Sequence, residues 1–69
     1  MTDFYTQKHT QINDRNVWLH LISCPIGNIF IVQHEERDFS IKTFFFFNVL
    51  EDAEKKYRSI CTKMIKEDI

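Results

Sequence analysis

Few residues in this 69-residue chain are suited to bond-making or ion-binding chemistry: His9, His20, His34, Cys24, Cys61 and the pair Glu35 and Glu36. His20 and His34 stand on either side of "CPIG". A hairpin closed there by a three-residue loop sets Cys24 opposite Asn28, Ile22 opposite Phe30, His20 opposite Val32 and Trp18 opposite His34. The two histidines then lie diagonally on one sheet face, about 7–8 Å apart and within reach of one ion. A third ligand is lacking, because Cys24 shares their parity but sits two pleats beyond His20, and His9 has no assigned place. The histidines therefore read as structural neighbours of Trp18, and no metal or cofactor is expected.

Nucleophilic catalysis needs a thiol or hydroxyl beside a base that a third group orients. Cys24 and His20 are near in sequence, but nothing in the pattern supplies the third group. Glu35 and Glu36 fall in "HEERDF", read as a charged turn whose carboxylates keep a strand edge unattractive to other strands. With one glycine the chain has no phosphate-binding loop of the Walker or dinucleotide type. The expectation is a protein that is not an enzyme, with no catalytic residues.

The elements that position these residues follow from punctuation and period. "NVWLHLISCPIGNIFIVQH" is two apolar runs around a turn in which Pro25 presets φ and Gly27 takes the left-handed conformation. "FSIKTFFFF" reads as a further strand. In an extended chain Phe44 and Phe46 point one way while Phe45 and Phe47 point the other, and a loop one residue longer or shorter exchanges the two faces. Asn48 is a candidate N-cap with Glu51 three residues on. Leu50, Ala53, Tyr57, Ile60, Cys61 and Met64 then form one apolar helical stripe. Glu51–Lys55, Asp52–Lys56 and Glu54–Arg58 are acid-to-base pairs at i,i+4, and the helix is expected to run to about Lys66. Residues 1–16 are either an added edge strand or a loose arm, the strand being favoured.

The predicted fold is therefore α+β, in one small domain over residues 1–69. It consists of an antiparallel sheet of three strands, or four with the N-terminal segment, followed by one C-terminal amphipathic helix (β-β-β-α). Its expected core is Leu19, Leu21, Ile29, Ile31, Leu50, Ala53, Tyr57, Ile60, Cys61 and Met64, with Val17 beside them.

Composition bounds the function. At 43% hydrophobic and 28% charged the chain is globular rather than disordered. Its abundance of Phe, Ile, Asn and Lys is what an AT-rich coding sequence yields, as in a phage or low-GC bacterium. The net charge of −1 offers no general attraction to phosphate or anionic lipid. Met1 leads into "TDFYTQKHTQ", which lacks the apolar core of a secretory leader, and no apolar run approaches the roughly 20 residues that span a bilayer. The expected address is cytoplasmic, without membrane insertion, and Cys24 and Cys61 are expected to be reduced.

The pairing above makes both sheet faces apolar, while one helix covers only one. Trp18, His20, Ile22, Phe30 and Val32 are thus the candidate interface, with part of the phenylalanine run beside them. The N-terminal segment folding over it, a second copy or a different protein are the three ways to bury it. A homodimer is the favoured partner state. The expected function is that of a small binding or regulatory protein acting through protein–protein contacts. Nucleic acid recognition by the sheet or the helix is the alternative. It is disfavoured because Lys55, Lys56 and Arg58 have acidic neighbours one turn earlier and the strands carry little positive charge.

Overall fold

The structure is a computed structural model and describes residues 3–36 and 41–67. It is an α+β fold of four antiparallel strands and a C-terminal helix: β1 (Asp3–Ile12), β2 (Arg15–Cys24), β3 (Gly27–Glu36), β4 (Ile41–Phe47) and α1 (Leu50–Glu67). The sheet order is β1-β2-β3-β4, so every strand pairs with its sequence neighbour. The N-terminal segment is a full edge strand, turned back by Asn13 at a φ of 54°, a conformation asparagine tolerates well.

The central hairpin departs from the expected register. Cys24 pairs with Gly27 across a two-residue turn of Pro25 and Ile26, so Ile22 faces Ile29, His20 faces Ile31 and Leu19 faces Val32. Gly27 has a φ of 145°, open to glycine alone without strain, but it sits in the ladder as the first residue of β3 instead of closing a longer loop. One residue of register exchanges the faces of β3. Phe30 and Val32 join Val17 and Leu19 under the helix, while Ile29 and Ile31 turn to the opposite face with Trp18 and His20.

The helix contributes Ala53, Tyr57, Ile60 and Met64, spaced four, three and four apart, to a core completed by Val17, Leu19, Phe30 and Val32. Leu21, Phe45, Phe47, Ile12 and Cys61 pack around it. Two expected core members are thereby corrected further: Ile29 and Leu50 are exposed. Leu50 opens the helix before the stripe begins, because the first helical hydrogen bond runs from Ala53 N–H to the Val49 carbonyl, 3.2 Å. That places the N-cap at Val49, one residue later than expected. Glu51–Lys55 and Glu54–Arg58 close at 3.7 Å each. Lys56 instead lies 4.3 Å from the centroid of the Phe45 ring, covering the rim of the core with its charged end over the ring face. Residues 37–40, which cover the end of the expected charged turn and the start of the expected strand, lie outside the described residues.

Tyr57 carries a pH-dependent part of this packing. Its hydroxyl is 2.6 Å from Thr10 Oγ1 on β1. Burial pushes the phenol's pKa up, the Thr10 hydrogen bond pulls it back in part, and neighbouring Cys61 adds to the rise. The folded state thus holds the phenolic proton more tightly than the unfolded chain. Tyr57 stabilises fully below its ordinary pKa of about 10, and that contribution is lost as pH rises through the folded value. Thermal melts across the alkaline range should show a steeper loss in the intact chain than in Tyr57→Phe, which has no such proton to lose. Equal slopes would remove the tyrosine from the pH response.

Candidate interaction face

α1 packs on one side of the sheet, and the other side bears a line of aromatic and polar side chains that crosses all four strands. Alternation from the observed pairs puts Phe4, Thr6, His9 and Gln11 of β1 on this open face, beside Asn16, Trp18, His20 and Ile22 of β2. Ile29, Ile31, Gln33 and Glu35 of β3 and Lys42, Phe44 and Phe46 of β4 complete it. The phase of β1 is kept correct along its whole length by a bulge between Thr6 and Lys8. Without that extra residue either Phe4 or His9 would turn under the helix.

Most polar residues on this face are engaged with one another, and Gln11 donates instead to the Asn13 carbonyl of the β1–β2 turn at 3.3 Å. Gln33 Nε2 donates to Glu35 Oε1 at 2.9 Å, which turns the Gln33 carbonyl oxygen toward His20. His20 Nε2 then donates to Gln33 Oε1 at 3.0 Å, and Thr6 Oγ1 lies 3.0 Å from His20 Nδ1. With the proton on Nε2, the Thr6 hydroxyl donates to Nδ1. Lys42 Nζ reaches Glu35 Oε1 at 3.9 Å, ending the chain on β4. Near the far end His9 Nε2 donates to Asn16 Oδ1 at 2.9 Å, while its ring stacks on Trp18 at 4.8 Å with planes 2° apart. Phe4 tilts over His20 at a centroid distance of 4.9 Å. His20, Glu35 and Asn16 are buried, so these bonds offset the desolvation that would otherwise penalise them.

Phenylalanine and isoleucine side chains project into water from this face, beside the exposed Thr6, His9, Gln11 and Lys42. Phe4 is 59% exposed, Phe46 67%, Phe44 49% and Ile29 37%. Among the described residues its charged side chains are Glu35 and Lys42, one of each sign and 3.9 Å apart. A surface with satisfied polar groups, balanced charge and projecting aromatic rings is suited to dry, shape-fitted contact.

The five residues singled out from the sequence divide. Trp18, His20 and Ile22 are on the open face as expected. Phe30 and Val32 are core residues under α1, misplaced by the one-residue register difference. Phe4, His9, Ile29, Ile31, Gln33 and Glu35 take part in the face and were absent from the expected set, while the part of the phenylalanine run beside it is Phe44 and Phe46. Alternation along β4 was the available signal for Phe44 and Phe46, whereas β1 alternates only on either side of its bulge. The N-terminal segment does not fold across the face as a cover; it widens it by one strand.

The other sequence-based sites separate in space. His20 and His34 lie on opposite faces, which rules out one ion shared by the pair; His34 Nε2 instead lies 3.1 Å from Glu36 Oε1 on the helix side. Cys24 donates its thiol hydrogen to the Gly27 carbonyl at 2.9 Å, and both ring nitrogens of His20 are engaged elsewhere, so the two form no nucleophile–base pair. Cys24 and Cys61 are both free thiols. Glu35, expected at a solvated turn, is buried in β3. No group of three or more potential ligands fit to hold a metal ion occurs among the described residues. No helix there is long and apolar enough to cross a membrane. Compared with known proteins, the chain matches no family model, no curated protein and no solved structure, so its function has to be read from this face.

Proposed function

We propose that the chain is a small non-catalytic binding protein that acts through protein–protein contacts, and that its open sheet face is buried against the same face of a second copy. The observation that carries this reading is the exposure of Phe4, Ile29, Phe44 and Phe46 on a face most of whose polar groups already bond to one another. A second copy suits it because, among the described residues, the face bears one positive and one negative charge, already paired, and two such faces meet without repulsion. Burying a large apolar side chain is worth roughly 1.5–3 kcal/mol, and symmetry doubles each contribution. For a chain of 69 residues, where a single core leaves stability marginal, that gain is substantial.

The projecting aromatic rings also suit stacking on nucleic-acid bases. Lys42, tied to Glu35, is the lysine of this face, and Lys8 on β1 leans over the Tyr57 ring on the helix side, so phosphate has little to hold it.

Trp18 is the one tryptophan of the chain and lies within the proposed interface, which makes it an intrinsic probe. Diluting the protein should shift its emission to longer wavelength as the interface separates and water reaches the indole. Emission independent of concentration in a chain that sediments as the 8.4 kDa species would overturn the reading. An electrophoretic shift with steep salt dependence would replace it by nucleic-acid binding.

A further inference from the structure

The sheet ends in two edge strands, β1 and β4, and they are protected to different degrees. β1 carries Asp3 and Lys8, and its ladder is interrupted between Thr6 and Lys8. Charges and bulges are the devices by which edge strands avoid pairing with a strand from another chain. β4 pairs with β3 residue for residue from Ile41 to Phe47, without a bulge or a proline, and its one charge is Lys42. Of the ten large apolar side chains exposed among the described residues, five fall within positions 41–50: Ile41, Phe44, Phe46, Val49 and Leu50. The free edge and the chain that leaves it are therefore the most apolar exposed segment of the molecule.

We propose that β4 is a self-pairing edge, which joins antiparallel to β4 of a second copy and extends the sheet from four strands to eight. The register that overlaps all seven residues is centred on Phe44. It sets Phe44 against its own counterpart, Thr43 against the partner's Phe45, Lys42 against the partner's Phe46 and Ile41 against the partner's Phe47. Every pair includes a phenylalanine ring, met by Phe, Thr, Lys or Ile, and no like charges meet. The two Lys42 residues are four positions out of register, about 13 Å along the strand. Directly opposed residues point to the same face, so both helices lie on one side of the extended sheet and the two open faces become continuous. This contact rests on the edge, not on the apolar face, and is independent of whether the faces stack. If both contacts form, the assembly is a tetramer of two eight-stranded sheets face to face.

Cysteine cross-linking tests the edge separately from the face. In a background of Cys24→Ser and Cys61→Ala, Phe44→Cys should be converted almost completely by mild oxidation to a disulfide-linked dimer. Opposed residues of an antiparallel pair have Cα atoms about 4.5–5.5 Å apart, within disulfide range. Phe46→Cys alone should stay unlinked, its counterpart being about 13 Å away, whereas Lys42→Cys combined with Phe46→Cys should link again. The double variant keeps Phe44, so loss of that ring cannot mask the result. Face-to-face sheets are about 10 Å apart and too distant to give this pattern. Cross-linking that survives Ile29→Asp, a change on the open face at an exposed residue, assigns the contact to the edge. Phe44→Cys and the double variant linking no faster than Ile65→Cys on the helix surface would overturn the proposal, even if the intact protein is a dimer. Cross-linking together with association unaffected by Ile29→Asp would keep the edge and reject the stacked face.

Discussion

Replacing Phe30 by alanine should lower folding stability by about 3–5 kcal/mol, while Ile29→Ala, its immediate neighbour, should cost about 1 kcal/mol or less in the isolated subunit. Phe30 is buried among Leu19, Val32 and the helix stripe, whereas Ile29 projects from the open face. The contrast follows from the two-residue turn at Pro25 and Ile26 alone. A three-residue loop would reverse it, putting Ile29 in the core. Urea unfolding of the two variants at a concentration low enough to hold them monomeric reads the register directly. Comparable losses, or the larger loss at Ile29, would contradict the pairing of Cys24 with Gly27. Ile60→Ala is expected to fall with Phe30, in the range of about 2–5 kcal/mol, since it is buried on the helix side of the same core.

That turn marks the boundary of what could be read from the residues. The α1 stripe of Ala53, Tyr57, Ile60 and Met64 was legible because four positions at helical spacing reinforce each other, and a boundary error of a residue leaves the stripe unchanged. The opposite orientations of Phe44/Phe46 and Phe45/Phe47 were legible for the same reason in a strand. The hairpin register was not, because "CPIG" satisfies two loop lengths with similar local chemistry. A single residue then moves Phe30 and Val32 from one face to the other. Every pairing inference built on the loop inherited the error, including the expected proximity of His20 and His34. The polar chain through Thr6, His20, Gln33 and Glu35 was beyond reach, since it needs β1 placed beside β2 and the bulge that keeps its phase. No local pattern in "TDFYTQKHTQI" signals that bulge. The open apolar face itself was legible, because it follows from counting faces and helices and not from register.

The second large effect concerns that face. Trp18→Asp should weaken association by at least about 100-fold, because symmetry brings two carboxylates, one from each copy, into a desolvated interface without a cation to meet them. A penalty of about 2–5 kcal/mol per buried unpaired charge corresponds to roughly 30- to 5,000-fold for one copy alone. Trp18 also stacks on His9 within its own chain, so its replacement disturbs the fold as well. Ile29→Asp is the cleaner variant: it is exposed in the subunit, lies away from the β4 edge and removes no intramolecular stack. It should retain the circular dichroism and urea midpoint of the dissociated parent while losing association to a similar degree. Retained association in Ile29→Asp would move the interface elsewhere on the surface.

Sedimentation equilibrium of the intact chain beside Ile29→Asp, at micromolar concentration, tests the central claim most directly. The intact protein should sediment at twice the 8.4 kDa chain mass, or four times if the β4 edges also join, and Ile29→Asp should fall to half the mass of the intact assembly. An intact chain that remains at 8.4 kDa throughout, or an assembly indifferent to Ile29→Asp, would contradict burial of the open face between two copies.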